Sequence, residues 1–94
     1  MFSGGSYDEV ERWLHNFLVS HAKREDVHAE IELEAGDERE GKAYRARLRL
    51  GGRVTPLGEF DFADVADNRG GLAWCAALAE RTRAAVRALA ATAA

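Results

Sequence analysis

The side-chain period of this sequence changes at Val27, from the helical repeat of about 3.6 residues to the two-residue alternation of a strand. Apolar and polar residues alternate from Val27 to Ala35 and again from Tyr44 to Leu50. The apolar positions are Val27, Ala29, Ile31, Leu33, Ala35, Tyr44, Ala46, Leu48 and Leu50. Because alternation gives a strand one apolar face, both segments are predicted strands of a sheet that is buried on one side.

A third strand follows Gly51 and Gly52, and its register decides which side chains are buried. A two-residue turn would bury charged residues, whereas a three-residue turn over 51–53 points apolar residues inward. We therefore expect Val54, Pro56, Phe60 and Phe62 inward, and Thr55, Leu57, Glu59 and Asp61 outward. Pro56 cannot donate a ladder hydrogen bond, which predicts an edge strand and the sheet order 1-2-3.

Two amphipathic helices flank the strands. Ser6 and Glu9 match a capping box that starts the first helix. Its apolar stripe is Val10, Trp13, Leu14, Phe17, Leu18 and His21. The second helix is expected from Leu72 to about Leu89, after a polar turn over 64–71 that offers Asn68 as N-cap. Its predicted stripe is Leu72, Cys75, Ala79, Thr82, Val86 and Leu89.

These elements predict an α+β fold, a two-layer α-β-β-β-α domain with both helices on one face of a three-stranded antiparallel sheet. We expect a flexible leader over 1–5 and a single domain over 6–92, since 94 residues suit one domain. No apolar run approaches the ~18–20 residues of a membrane span, and residues 1–5 lack the features of a signal peptide. Cys75 is the only cysteine, which excludes an internal disulfide. A cytoplasmic location is expected by elimination.

The charge of the chain is unevenly distributed. Residues 1–41 carry four basic and eleven acidic side chains, a net −7, and residues 42–94 carry nine and five, a net +4. The total of −3 argues against a dedicated polyanion binder. Two halves of opposite charge allow either head-to-tail self-association or neutralisation within one chain.

The order α-β-β-β-α resembles the double-stranded RNA-binding domain over most of the chain. That family contacts RNA through its first helix, its first hairpin loop and a lysine-rich start of its second helix. Here the first loop, residues 36–41, reads Gly-Asp-Glu-Arg-Glu-Gly and lacks the family's Gly-Pro-x-His. Residues 67–71 offer one cation, Arg69, where the family has a lysine cluster. We expect this chain to share the element order of the family but not its function, because phosphate contacts need cations. Nucleic-acid binding is therefore the alternative function.

Other candidate chemistry has structural interpretations. His15, His21 and His28 share no metal-binding motif. The carboxylates of the acidic turn Asp61–Asp67 are interpreted as caps of the following helix, with ion binding left open. Cys75 has no basic neighbour to activate it. We predict no enzyme, and no catalytic, cofactor or metal residues.

The polar sheet face is predicted to carry Arg45, Arg47 and Arg49 between glutamates, with Leu57 as its apolar exception. We interpret this face as a self-neutralising ladder, and docking of a partner as the alternative.

The second helix carries more apolar surface than one sheet face requires. Its extra residues form a possible partner interface: Trp74, Leu78, Arg81, Ala85 and Ala88. We therefore predict a non-enzymatic interaction module, an adaptor or chaperone-like protein that binds a protein partner or itself as a homodimer. The alternative for Trp74 is packing against the first helix.

Overall fold

The computed structural model describes residues 7–35 and 43–92 of the 94-residue chain. Its elements are α1 (Tyr7–Glu25), β1 (Glu30–Ala35), β2 (Ala43–Leu50), β3 (Arg53–Asp61), α2 (Phe62–Asn68) and α3 (Leu72–Thr92). The strands form one antiparallel sheet in the order β1-β2-β3. The predicted fold class, element order and sheet order are confirmed, and α2 is an additional helix. The capping residue Ser6, the leader and the acidic first loop lie outside the described residues.

The core lies between the sheet and the helices. α1 packs on β1 and on α3, α3 covers β2 and β3, and α2 contacts α1 and β3. The largest fully buried side chains are Val10, Leu14, Leu18, Tyr44, Leu48, Val65, Thr82 and Val86. Among the described residues, every buried side-chain nitrogen and oxygen has a hydrogen-bond partner. The buried stripe of α3 is Leu78, Thr82 and Val86, and Leu72, which we predicted to be buried, is exposed because α3 begins there, outside the core cluster.

β1 begins later than predicted, because residues 26–28 form a turn. The amide of His28 donates to Asp26 Oδ1 at 2.9 Å, and Lys23 Nζ donates to the Val27 carbonyl at 3.1 Å. An aspartate that bonds the amide two residues further on fixes a tight turn. The inward position predicted for Val27 is therefore wrong, and its side chain is 70% exposed.

The turn between β2 and β3 has two residues, and the predicted three-residue turn is wrong. Gly51 and Gly52 have φ values of 58° and 82°, so Leu50 pairs directly with Arg53. Such turns match the twist of the strands and need glycine or asparagine at positive φ. Val54 and Pro56 consequently lie opposite Arg49 and Arg47 and are exposed, contrary to the prediction.

A β-bulge then returns the rest of β3 to the predicted alternation of inward and outward side chains. The register shifts between Ala46 and Arg47, so that Leu57 has no partner on β2 and enters the core. Leu57 is 6% exposed, which corrects its predicted place on the outer sheet face. Beyond the bulge Glu59 is exposed and Phe60 is buried, as predicted. The extra residue lets a short turn coexist with a buried Phe60.

Arg81 of α3 holds this bulge in place. Its Nη2 donates to the Leu57 carbonyl at 2.7 Å, and its guanidinium carbon lies 5.4 Å from the centre of the Phe60 ring. Gly58 has a φ of 152°, and a Cβ atom there would collide with the Arg81 guanidinium. Glycine is required at this position for both its conformation and its small size.

A tyrosine pair joins the start of α1 to the start of β2. Tyr44 donates from its hydroxyl to the Tyr7 carbonyl at 2.8 Å, and Tyr7 donates to the Ala43 carbonyl at 2.9 Å. The two rings stack with their centres 4.7 Å apart. Burial, and then the neighbouring Tyr7, raise the pKa of the Tyr44 hydroxyl, which therefore remains a neutral donor.

An ionic cluster joins the end of α1 to α3. Glu25 Oε1 accepts from Arg83 Nε at 3.1 Å and from Arg87 Nη1 at 2.8 Å, and Arg87 Nη2 also reaches Glu80 at 2.8 Å. The hydrogen bond from Arg83 is the main reason that the pKa of Glu25 is lowered.

We predict that Gly58→Ala lowers the free energy of unfolding by about 1–3 kcal/mol, because it strains the backbone and displaces Arg81. Gly70 is the matched control, since nothing lies within 4 Å of a Cβ added there. Urea denaturation should place Gly70→Ala within about 0.5 kcal/mol of the wild type. Equal effects of the two substitutions would contradict the role assigned to the bulge.

Glu25→Gln should destabilise the fold at pH 7, with a deficit that shrinks as the pH falls below the ordinary carboxyl pKa of 4.5. The lowered pKa means that the unfolded chain takes up this proton first, so the stabilisation is present above 4.5 and is lost as acid protonates the folded carboxylate. Denaturation at several pH values measures the deficit. Glu80→Gln, which removes a single ion pair, is the control and should give a smaller deficit. A Glu25→Gln deficit unchanged at acidic pH would refute the interpretation.

Candidate functional site

Three of the predicted interface residues line a groove among β3, α2 and α3, which we call the α2–α3 groove. Its volume is about 230 Å³. It is lined by Trp74, Leu78 and Arg81, together with Glu59, Phe60, Asp61, Asp64, Val65 and Ala77. Leu78 is only 5% exposed and forms part of the core, so its predicted contact with a partner is corrected to a place in the groove floor. The acidic turn and the Trp74 flank, which the sequence presents separately, therefore form one site.

The remaining two predicted residues, Ala85 and Ala88, line a second depression further along α3, which we call the α3–β3 groove. Its volume is about 210 Å³, and none of the described residues that line it is charged. The other lining residues are Thr55, Pro56, Leu89 and Thr92. All five predicted residues thus lie along the side of α3 that borders β3.

Trp74 packs against α1, as the alternative interpretation expected. Its ring centre lies 6.3 Å from that of Trp13, which in turn stacks on Phe17 at 5.0 Å. Trp74 is nevertheless only half-buried, and it also lines the α2–α3 groove. The packing of Trp74 on α1 therefore leaves part of the ring available to a ligand.

Three of the four charged side chains that line the α2–α3 groove have partners within the fold. Glu59 pairs with Arg45 Nε at 3.3 Å. Asp61 is the N-cap of α2, and its Oδ2 accepts from the Asp64 amide at 3.4 Å. Arg81 donates to the Leu57 carbonyl. Asp61 thus caps a helix, but this helix is α2 and not the helix from Leu72 that the capping interpretation named. The three groups hold the groove in shape.

Asn68 does not cap α3, contrary to our prediction. It is the last residue of α2, and its side-chain amide donates to the Asp64 carbonyl at 2.7 Å. The carbonyl of Gly71 instead accepts the first helical bond of α3, from the Cys75 amide at 3.0 Å. Residues 62–68 are helical, and the predicted polar turn is wrong there, because Asp61 caps this segment and Phe62, Val65 and Ala66 bury one side of it.

The histidines and the cysteine lie apart from the two grooves. His15 bonds the Ile31 carbonyl at 3.2 Å, and His21 lies 4.5 Å from the Phe17 ring. Burial, then Arg24 and Arg83, lower the pKa of His21. Cys75 Sγ donates to the Arg69 carbonyl at 3.4 Å. Within residues 7–35 and 43–92, no group of three or more histidine, cysteine or carboxylate side chains is arranged to hold a metal ion.

The outer sheet face carries the predicted ladder of ion pairs. Arg45 pairs with Glu59, Arg47 with Glu34 at 3.2 Å and Glu32 at 4.0 Å, and Arg49 with Glu32. The paired side chains remain 38–71% exposed. Exposed pairs of this kind contribute ~0–1 kcal/mol each. The ladder therefore gives each arginine an acidic partner but contributes little to the stability of the fold.

A third groove, which we did not predict, lies between α1 and the edge of β1, and we call it the α1–β1 groove. Its volume is about 500 Å³, and it is lined by Asp8, Glu11, Arg12, His15 and Leu33. The sheet order 1-2-3 left β1 as an edge, and this signal could have indicated the groove. The polar side of α1 gave no sign that His15 reaches the strand.

Comparison with known proteins finds no family, no curated protein and no solved structure that matches the chain. The resemblance to the double-stranded RNA-binding domain consequently rests on element order alone. No helix in the part of the chain that the structure describes is long and apolar enough to cross a bilayer.

Asp61→Ala should lower the free energy of unfolding by about 1 kcal/mol, because it removes the N-cap of α2. Asp61→Asn retains a capping oxygen and is the matched control. Urea denaturation should place it much nearer the wild type. If the two variants lose the same stability, charge at this position matters and the cap does not.

Proposed function

We propose that the chain is a non-enzymatic protein-interaction module that forms a homodimer through one side of α3. This surface, the α3 flank, consists of the exposed residues Ala77, Arg81, Ala84 and Ala88 and the two grooves beside them. The observation that carries the proposal is the alignment of both grooves along this one side of the helix.

The shape of the α3 flank suits a second helix. α3 has 21 residues, and Ala77, Ala84 and Ala88 are exposed on its flank. Small side chains allow helix axes to approach to the lower end of the ~8–10 Å range. A two-fold axis would place the same flank on both copies, so α3 would pack against α3 of the second copy.

The distribution of charge favours an antiparallel arrangement. The α2–α3 groove carries Glu59, Asp61, Asp64 and Arg81, whereas the α3–β3 groove has no charged lining. Antiparallel helices would place the charged groove of one copy against the uncharged groove of the other. Like charges would then not face each other across the interface, which avoids a repulsive contact.

The polar groups of the flank support a binding role over catalysis. The Asp61 carboxylate caps α2, the Glu59 carboxylate pairs with Arg45, and Arg81 holds the β3 bulge. Each is committed to the fold, and none forms the acid–base pair that catalysis would use.

The RNA-binding alternative gains no support from the described surface. The first turn of α3, from Leu72 to Cys75, contains no cation. The arginines of the outer sheet face are paired with glutamates, which leaves them poorly suited to neutralise phosphates.

Ala88→Glu should shift the protein toward monomer, because the α3–β3 groove would then bring buried carboxylates into the interface. Ala90→Glu is the matched control, since Ala90 is also exposed on α3 but does not line the groove. Light scattering behind size exclusion, over a dilution series, measures the mass. We expect a dimer for the wild type and for Ala90→Glu. A wild type that stays monomeric at high concentration would refute the homodimer.

A further inference from the structure

The two edges of the sheet differ in how far they are protected. β3 carries Pro56 and the bulge at Leu57, whose carbonyl is bonded by Arg81. Proline, bulges and covered carbonyls all hinder the addition of another strand. β1 has six residues without proline or bulge, and its pairing with β2 is regular from Glu30 to Ala35. β1 is therefore the edge that remains open to a strand.

The register identifies the backbone groups that β1 presents outward. Leu50 and Arg53 close a two-residue turn and so form a hydrogen-bonded pair. Hydrogen bonding alternates along β2, so Leu48 and Ala46 direct their backbone groups toward β3. Their partners on β1, Ile31 and Leu33, must then direct theirs away from the sheet.

The contact of His15 agrees with this assignment. His15 Nε2 reaches the Ile31 carbonyl from α1 at 3.2 Å, which requires that carbonyl to point away from β2. The same alternation directs the backbone groups of Leu33 and Ala35 outward. No hydrogen bond from a described residue covers the Leu33 amide or carbonyl. The available edge thus begins after Ile31 and is centred on Leu33.

The surroundings of this edge are acidic on both sides of the sheet. Glu30, Glu32 and Glu34 line the outer face of β1, and Glu30 has no ion pair among the described residues. Asp8 and Glu11 line the α1–β1 groove on the other side, and Arg12 is the one arginine or lysine among the described residues that line it. A strand added beside β1 would place alternate side chains against the glutamates and the others in the groove beside Leu33.

We propose that the open edge of β1 binds an extended, basic segment of a partner protein by strand addition. The Leu33 amide and carbonyl pair with the segment's backbone, and lysine or arginine side chains at alternate positions lie against Glu30 and Glu34. The intervening side chains lie in the α1–β1 groove beside Leu33, its apolar lining residue. In this mode the backbone bonds supply affinity and the alternate side chains supply specificity. The site shares no residue with the α3 flank and does not depend on dimerisation.

The probe for this site is the blocked hexapeptide Lys-Val-Lys-Val-Lys-Val, titrated into the full chain at low salt and followed by amide NMR shifts. We expect saturable shifts at 31–35 and at His15. The blocked peptide Lys-Lys-Lys-Val-Val-Val has the same charge without the alternation, and it should bind about fivefold or more weakly, because it cannot satisfy the backbone and both faces together. Equal binding of the two peptides, or shifts confined to the α3 flank, would overturn the proposal.

Two pairs of variants separate strand addition from general charge attraction. Glu30→Lys should weaken binding of the alternating peptide about fivefold or more. Glu80→Lys makes the same charge change on α3, outside all three grooves, and should leave binding within about twofold. Leu33→Pro removes the outward amide without breaking the β1–β2 ladder and should abolish binding, whereas Leu33→Val should retain it. Circular dichroism checks that each variant is folded. If Leu33→Pro does not fold, the Glu30→Lys result alone tests the proposal. Equal weakening by Glu30→Lys and Glu80→Lys, or no binding to the wild type, would refute the proposal.

Discussion

The alternation along β2 is the constraint from which the rest of the structure takes its arrangement. β2 is paired on both sides, so its inward residues Tyr44, Ala46, Leu48 and Leu50 must be buried while the arginines between them stay outside. A slip of one residue would bury three guanidinium groups and expose the core. β1 and β3 take their registers from this strand, and α1 and α3 take their positions from the apolar face that it shares with them. The tyrosine pair fixes the start of β2 to α1 and thereby sets where this face begins.

The features that sequence alone predicted are those that depend on local period. The helical stripe of α1, the alternating strands and the Arg–Glu ladder all follow from side-chain spacing. They were confirmed, except that the first strand begins at Glu30 and not at Val27. The register of β3 was not accessible in this way. Its turn and bulge compensate each other, and the bond that holds the bulge comes from Arg81, 24 residues away from Leu57. No local pattern in β3 could show that Leu57 is buried and Pro56 exposed.

The sequence indicated most residues of the candidate site, but it did not indicate the groove that they line. Trp74, Ala85 and Ala88 stood out because they add apolar surface beyond what one sheet face needs, and Arg81 lies on the same side of the helix. Leu78 appeared to belong with them, because the predicted buried stripe included Leu72 and left Leu78 at its margin. In the structure Leu78 is buried and Leu72 is exposed. The short helix α2 was missed because seven residues are too few for a helical period to be distinguished from a polar turn. With α2 in place, the acidic turn becomes one wall of the groove beside Trp74.

The fold protects its two sheet edges to different extents, and the proposed strand addition depends on this difference. On β3, the bulge that brings Leu57 into the core also presents the Leu57 carbonyl to Arg81. The same irregularity therefore buries a side chain and protects the strand edge. On β1, protection is limited to the Ile31 carbonyl, which His15 bonds from α1. A protein that packs a second copy on its α3 flank would leave the β1 edges at the far sides of the pair, since β1 and β3 are opposite edges of one sheet. Self-association and strand addition would therefore not compete, and one domain would present two separate binding surfaces.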